Sequence, residues 1–226
     1  MVVLEFFKKE VAKMFNVPVS GYRLNVGLSE LAKVNEVNNR RLYLFGEILS
    51  VDSCEDEFDP YVSPTSMLVK QILSFNKADI GLAPAKREPI ILYINSPGGE
   101  LIEGFPLISA IELSKTPVYT VNVGEWCSMA FLIGITGHKR FSLPYMTFLM
   151  HEASGAMVGK ISDMEAKLDF DKRFNRCVTR EHILRHSTMD ATVYDAVCKS
   201  EFYMLTDEAL KYGFIDEIVT DIDTIL

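Results

Sequence analysis

The stretch "PIILYI" at 89–94 is six residues with no polar break. A strand wetted on one face alternates apolar and polar side chains, whereas a strand buried on both faces reads as a continuous apolar run. "VYTVNV" at 118–123 reads as a second buried strand. Between the two, Phe105, Ile108 and Ile111 fall on one side of a helix that runs to about Ser114, with Pro106 acceptable only in its first turn. Strand, helix, strand predicts a βαβ unit with parallel strands and a right-handed crossover. It also says where a site would lie, because ligands of open α/β sheets bind beyond the carboxyl ends of the strands.

The remaining pattern fills in around that unit. Residues 3–15 place Leu4, Phe7, Val11 and Met14 at helical spacing, and "NVPVSGYRLNVG" reads as a connector. "RLYLFGEI" at 41–48 predicts a first strand with a bend at Gly46. The acidic stretch "VDSCEDEFDPYVSP" predicts a solvated loop. "TSMLVKQILSF" predicts a helix capped by Thr65 or Ser66. A helix begins at "CSMAFLIGI", two short strands flank Pro144, and a long helix runs from Gly159 to about His186 with Ile161, Met164 and Leu168 on its apolar face. "TDEALKYG" predicts a short helix capped by Thr206 and stopped by Gly213, and "FIDEIV" a closing strand.

Charge and cysteine usage remove several function classes. A net charge of −8 argues against nucleic acid or an anionic membrane as the main partner, since both demand clustered Lys and Arg. No apolar stretch is long enough for a membrane span. Glu5 and Glu10 interrupt the N-terminal apolar stretch, so it does not read as a secretory signal. Cys54, Cys127, Cys177 and Cys198 show no CxxC spacing and read as free thiols in a reducing, cytoplasmic setting.

Three elements carry chemistry. Ser128 follows the second buried strand at the first turn of a helix, where free N–H groups and the positive helix end favour a developing oxyanion. Taken alone, it could equally be a cap. The turn "NSPGGE" ends the other parallel strand, and its glycines let backbone N–H groups approach a substrate closely. His151 terminates "TFLM" near the same sheet edge. Cys127, a neighbour of Ser128 on the chain, points about 100° away on a helix and is the weaker nucleophile candidate. His182 and His186, four apart on a helix, could ligate a metal together. Without a third ligand nearby they read as exposed helix side chains.

In order, the glycines, Ser128 and His151 resemble the proteolytic subunit of the Clp protease family, the caseinolytic serine peptidases. The text that carries the resemblance is "LYLFGEI", "ILYINSPGGELIEGFPLISAIE", "VNVGEWCSMAFLIGITGHKRFSLPYMTFLMHE", "GKISDMEAK" and "LTDEALKYGFIDEIV", spanning residue 41 to about 219. The resemblance implies an α/β, crotonase-like fold of repeated ββα units with a protruding long helix. It divides the chain into an N-terminal helix and connector at 1–40, contacting a partner or an axial pore, and a peptidase domain at 41–226.

It further implies a serine endopeptidase acting on unfolded polypeptides. Ser128 would be nucleophile, His151 general base, and the N–H groups of Gly99 and Met129 the oxyanion hole. The family's third member is an aspartate in a segment like E-R-D-x-F-M. Aligning back from "DEALKYGFID" puts Glu201 there, with Ser200 in place of the arginine and Asp195 as a substitute acid. Trp126 stands where small residues are usual and would reshape the substrate pocket. Family members form stacked heptameric rings and work with a ring ATPase. No metal or organic cofactor is expected, and this chain carries no G-x-x-x-x-G-K-[ST] for ATP.

The residues leave three rivals open. An acyl-CoA hydratase or isomerase would share the fold and need placed carboxylates. A signal-peptide peptidase or phage head-maturation protease would use Lys139 or Lys160 as base. A non-catalytic assembly subunit would need no triad at all.

Overall fold

The computed structural model describes residues 40–49 and 63–225. The expected N-terminal helix and connector, and nearly all of the acidic loop, lie outside the described residues.

The central sheet has the order β1 (Arg41–Phe45), β2 (Ile90–Ser96), β3 (Val118–Cys127), β4 (Lys139–Ser142) and β7 (Glu217–Ile218), all parallel. Both faces of β2 are covered, which is why its sequence has no polar alternation. Leu92 and Ile94 point into the main core with Leu42, Leu107 and Phe131, while Ile91 and Tyr93 point into a smaller cluster with Val121, Phe141 and Val219. Full burial of each such side chain contributes roughly 1.5–3 kcal/mol.

The strand β3 is longer than its apolar run. Its last residues, Glu125 to Cys127, leave β4 and pair instead with β5 (Thr147–Met150), which pairs antiparallel with β6 (Phe202–Leu205). The sheet therefore forks, and the fork sets the ends of β3 and β5 side by side.

The helices α1 (Pro64–Ala78), α2 (Leu101–Leu113) and α3 (Met129–Ile135) follow the pattern of the sequence, with differences at their ends. The α1 cap is Ser63, whose hydroxyl accepts from the Ser66 N–H at 3.3 Å; Pro64 takes the first helical position, where a missing N–H costs nothing. Pro106 sits inside α2 rather than in its first turn, and the carbonyl it leaves unpaired belongs to the exposed Ile102. The long helix is α4 (Ile161–Phe174), a π-helical turn (Asn175–Thr179) and α5 (Arg180–Arg185) in succession. Its expected apolar face is not covered by the described residues: Ile161 and Leu168 are exposed.

After α6 (Ala191–Val197), the short helix α7 (Thr206–Lys211) begins one residue beyond its cap, Leu205, whose N–H donates to the Glu208 carboxylate at 2.9 Å. The Thr206 hydroxyl is engaged elsewhere, accepting from the Met146 N–H at 3.0 Å.

Candidate active site

The carboxyl ends of β2, β3 and β5 converge. At β2, Gly98 and Gly99 both have positive φ, 97° and 143°. Neither position has room for a side chain. A Cβ on Gly98 would lie 2.5 Å from the Cys127 carbonyl and 2.7 Å from the Ser128 Cβ; one on Gly99 would lie 2.1 Å from the Ile48 carbonyl oxygen. The turn is thus pressed between the chain after β1 and the start of α3.

The contact with Ile48 also orients Gly99. Ile48 donates to the Gly98 carbonyl at 2.7 Å and accepts from the Glu100 N–H at 2.8 Å, forming a parallel bridge. In such a bridge one residue makes both bonds, and its opposite number turns its own N–H and C=O away. Gly99 is that opposite number, so its N–H faces away from Ile48.

Ser128 joins β3 to α3 with φ 54° and ψ −121°. A non-glycine residue held there costs about 1–3 kcal/mol and must be fixed by its surroundings. Its N–H donates to the Leu149 carbonyl at 2.9 Å, tying the turn to β5, and its carbonyl accepts from Phe131 at 3.1 Å, starting the helix. The side chain makes no capping hydrogen bond. The hydroxyl is therefore placed at a helix start without serving it, and the capping alternative open at the sequence level falls away.

Ser128 and His151 line one small cavity, closed on its other sides by Met129, Met150 and Ile183. The His151 Nε2 is buried and has no hydrogen-bond partner among the described residues. An imidazole nitrogen left this way costs roughly 1–3 kcal/mol, and such orphans call for an explanation.

Glu201 is brought near and not joined. The β5–β6 ladder ends at Met150 opposite Phe202, and one further step in that register would set His151 opposite Glu201. Instead the Glu152 N–H donates to the Cys198 carbonyl at 3.0 Å, and the chains part. Glu201 is exposed, and its carboxylate near Tyr203 raises the pKa of that phenol. The substitute acid, Asp195, is committed to another partner. Arg180 holds its two oxygens at 2.9 and 3.0 Å, and this hydrogen-bonded pairing lowers the carboxyl pKa.

The other candidates separate clearly. The Cys127 thiol is buried, and that burial, together with its contact to the Glu125 carboxylate at 3.4 Å, pushes its pKa up to about 12. It is no thiolate nucleophile. Trp126 does not reshape the pocket: it is fully buried in the core, edge-on to Phe148 and against the backbone of Gly134. Lys139 pairs with Tyr119 at the amino-terminal end of β3, the far end of the sheet from Ser128. Lys160 is exposed at the start of α4. Among the described residues, no carboxylate lines the Ser128 cavity. His182 is not an exposed helix side chain: it is buried against α3, accompanied by Glu112 from α2. Sequence reasoning missed that group because α2 and α5 lie some seventy residues apart in the chain.

A mostly parallel sheet, a long interrupted helix, and a serine and histidine meeting at the strand ends define a mixed α/β protein of the crotonase-like kind. Comparison with known proteins narrows this. The family model described as Clp protease matches residues 66–221. Two curated relatives, the ATP-dependent Clp protease proteolytic subunits of Dehalococcoides mccartyi strains BAV1 and CBDB1, are each 32% identical over 158 residues, covering 68% of this chain and 74% of their own. This chain belongs to the Clp protease family. Among the described residues, no helix is long and apolar enough to cross a membrane.

Proposed function

We propose that this chain is a serine endopeptidase that hydrolyses unfolded polypeptides through an acyl-enzyme. Ser128 is the nucleophile. His151 takes its proton through Nε2 and returns it to the leaving amine. The N–H groups of Gly99 and Met129 receive the tetrahedral oxyanion. Glu201 orients His151 once the chain after β5 moves to extend the β5–β6 ladder by one pair. The observation that carries this reading is the unpartnered His151 Nε2 buried in the cavity that the uncapped Ser128 also lines.

The working form is a homo-oligomer of stacked heptameric rings in the cytoplasm, fed by a ring ATPase unfoldase. Ile161 and Leu168, exposed on one face of α4, support packing between copies. Neither a nucleic acid nor a membrane is part of this reading, and the step needs no cofactor.

The test is hydrolysis of a fluorogenic peptide by wild type, Ser128→Ala and His151→Ala. Loss in both variants is the expected result. Retention in His151→Ala would point to a lysine base, as in head-maturation proteases, and retention in Ser128→Ala would end the proposal. One observation favours a second reading, a non-catalytic assembly subunit: the β5–β6 ladder ends at Met150 opposite Phe202, one pair short of Glu201 and His151, and Glu201 is exposed. Inactivity of the wild type in every assembled state would select it.

A further inference from the structure

We propose that Glu112, His182 and His186 form a binding site for a first-row divalent metal ion of the zinc type, clamping α5 onto α2. Their three ligand atoms lie within 4.8 Å of one another. Glu112 Oε1 is 3.0 Å from His186 Nε2 and 3.5 Å from His182 Nδ1. Ligand atoms on a tetrahedral zinc, at bonds near 2.0–2.1 Å, stand about 3.3 Å apart. These two spacings bracket that value.

The protonation pattern of His182 gives the stronger argument. Its Nε2 lies 3.1 Å from the Leu132 carbonyl and 3.1 Å from the Thr136 hydroxyl. The carbonyl can only accept, and the Thr136 proton is already donated to that same carbonyl at 2.7 Å. With the Thr136 proton on that carbonyl, Nε2 carries the hydrogen and donates, which leaves a bare lone pair on Nδ1. Its neighbour is a carboxylate oxygen, itself an acceptor, and His182 is 2% exposed. Two acceptors facing each other beside a buried ring repel unless a cation sits between them. An imidazole whose far nitrogen donates to a backbone carbonyl is also how metal-bound histidines are oriented.

Access and charge balance are consistent with an ion. The side chains of Glu112 and His186 are 30% and 21% exposed, so the fourth position faces solvent for water. Among the described residues, two cations stand near. Arg140 is neutralised by Asp216 and donates to the His186 carbonyl. Arg185 contacts Glu112 Oε1 at 3.3 Å, but its side chain is 64% exposed and free to swing outward. A mixed imidazole and carboxylate set suits zinc and its neighbours over magnesium or calcium. Because Ile183, between the two histidines, lines the Ser128 cavity, the ion would stiffen that wall.

The test uses the full chain without a histidine tag, stripped by chelator and titrated with Co2+, then Zn2+. The expected result is one equivalent of Co2+ per chain with the visible d–d bands of four-coordinate cobalt, displaced by Zn2+. Glu112→Gln and His186→Gln should each weaken binding about 100-fold or more while the circular dichroism stays unchanged. Absence of the bands, unchanged binding in both variants, or a thiolate charge-transfer band marking a cysteine site would overturn the proposal. The variants lie in side chains that are partly exposed, so they leave the fold able to report.

Discussion

The two ends of the same parallel sheet are built on opposite terms. At the amino-terminal end a linked set of polar groups is paired. Arg40 grips both Asp79 oxygens at 2.8 and 2.7 Å, and the Thr116 hydroxyl adds a third bond at 2.7 Å. Asn76 accepts from the N–H groups of Lys115 and Thr116 and donates to Ser114. At the carboxyl end, Ser128 and two glycines sit at positive φ, the serine hydroxyl caps nothing, and a histidine nitrogen is buried without a partner. The first end holds the fold together. Backbone strain is common to both, since Arg40 also sits at φ 53°; what sets the second apart is unspent hydrogen bonding at Ser128 and His151.

If the comparison is right, substitutions should divide the two ends cleanly. The largest effect belongs to Ser128→Ala, which should lower kcat about a millionfold in a peptide assay with the unfolding midpoint unchanged or slightly raised, since little strain is lost and no bond is broken. Loss of folding instead would make the serine structural.

Next comes Glu201→Gln. Turnover should fall by roughly 10³–10⁴-fold through misorientation of His151, whereas Asp195→Asn should leave turnover unchanged, because Arg180 already occupies that carboxylate. A reversed pair of results would hand the third role to Asp195.

Gly99→Ala should cost about 10²–10³-fold in kcat by displacing an oxyanion donor. Its added carbon meets the Ile48 carbonyl, which is backbone and cannot step aside cheaply. Unaltered rates in a folded variant would remove Gly99 from the site.

The smallest effect on turnover is expected from the other end. Asp79→Asn should lose about 3 kcal/mol of stability, read from urea midpoints, with kcat intact. The Arg40 hydrogen bond, against the opposing effect of burial, lowers the Asp79 pKa to about 2. A depressed carboxyl pKa means stability that is present above the unfolded value of about 3.9 and drains away as pH falls toward 2. The wild type should therefore lose its advantage over Asp79→Asn across that acid window. An equal gap at pH 7 and pH 2 would show that the ion pair does not hold this end.

Much of this was legible in the chain. The unbroken run in β2 predicts burial on both faces, and the glycines, Ser128 and His151 each terminate a strand recognisable from its own residues. What escaped was set by partners distant in sequence. Thr206 looks like a cap, but its hydroxyl is taken by Met146, sixty positions away. Trp126 looks like a pocket residue because it stands where the resembled family carries small residues, yet β3 continues through it to pair with β5. His182 reads as exposed because helical spacing cannot reveal that Leu132 and Thr136 lie beneath it. The proposed acid, Glu201, is the least legible of all, since the β5–β6 ladder stops one pair short of setting it opposite His151.

The most direct measurement is intact mass after fluorophosphonate treatment, with peptide mapping and Ser128→Ala as control. One adduct per chain on Ser128, absent from the control, is the result expected if His151 activates that hydroxyl. A folded, assembled protein that takes no adduct, or takes it on another residue, would contradict the assignment of the strained carboxyl end as a catalytic site.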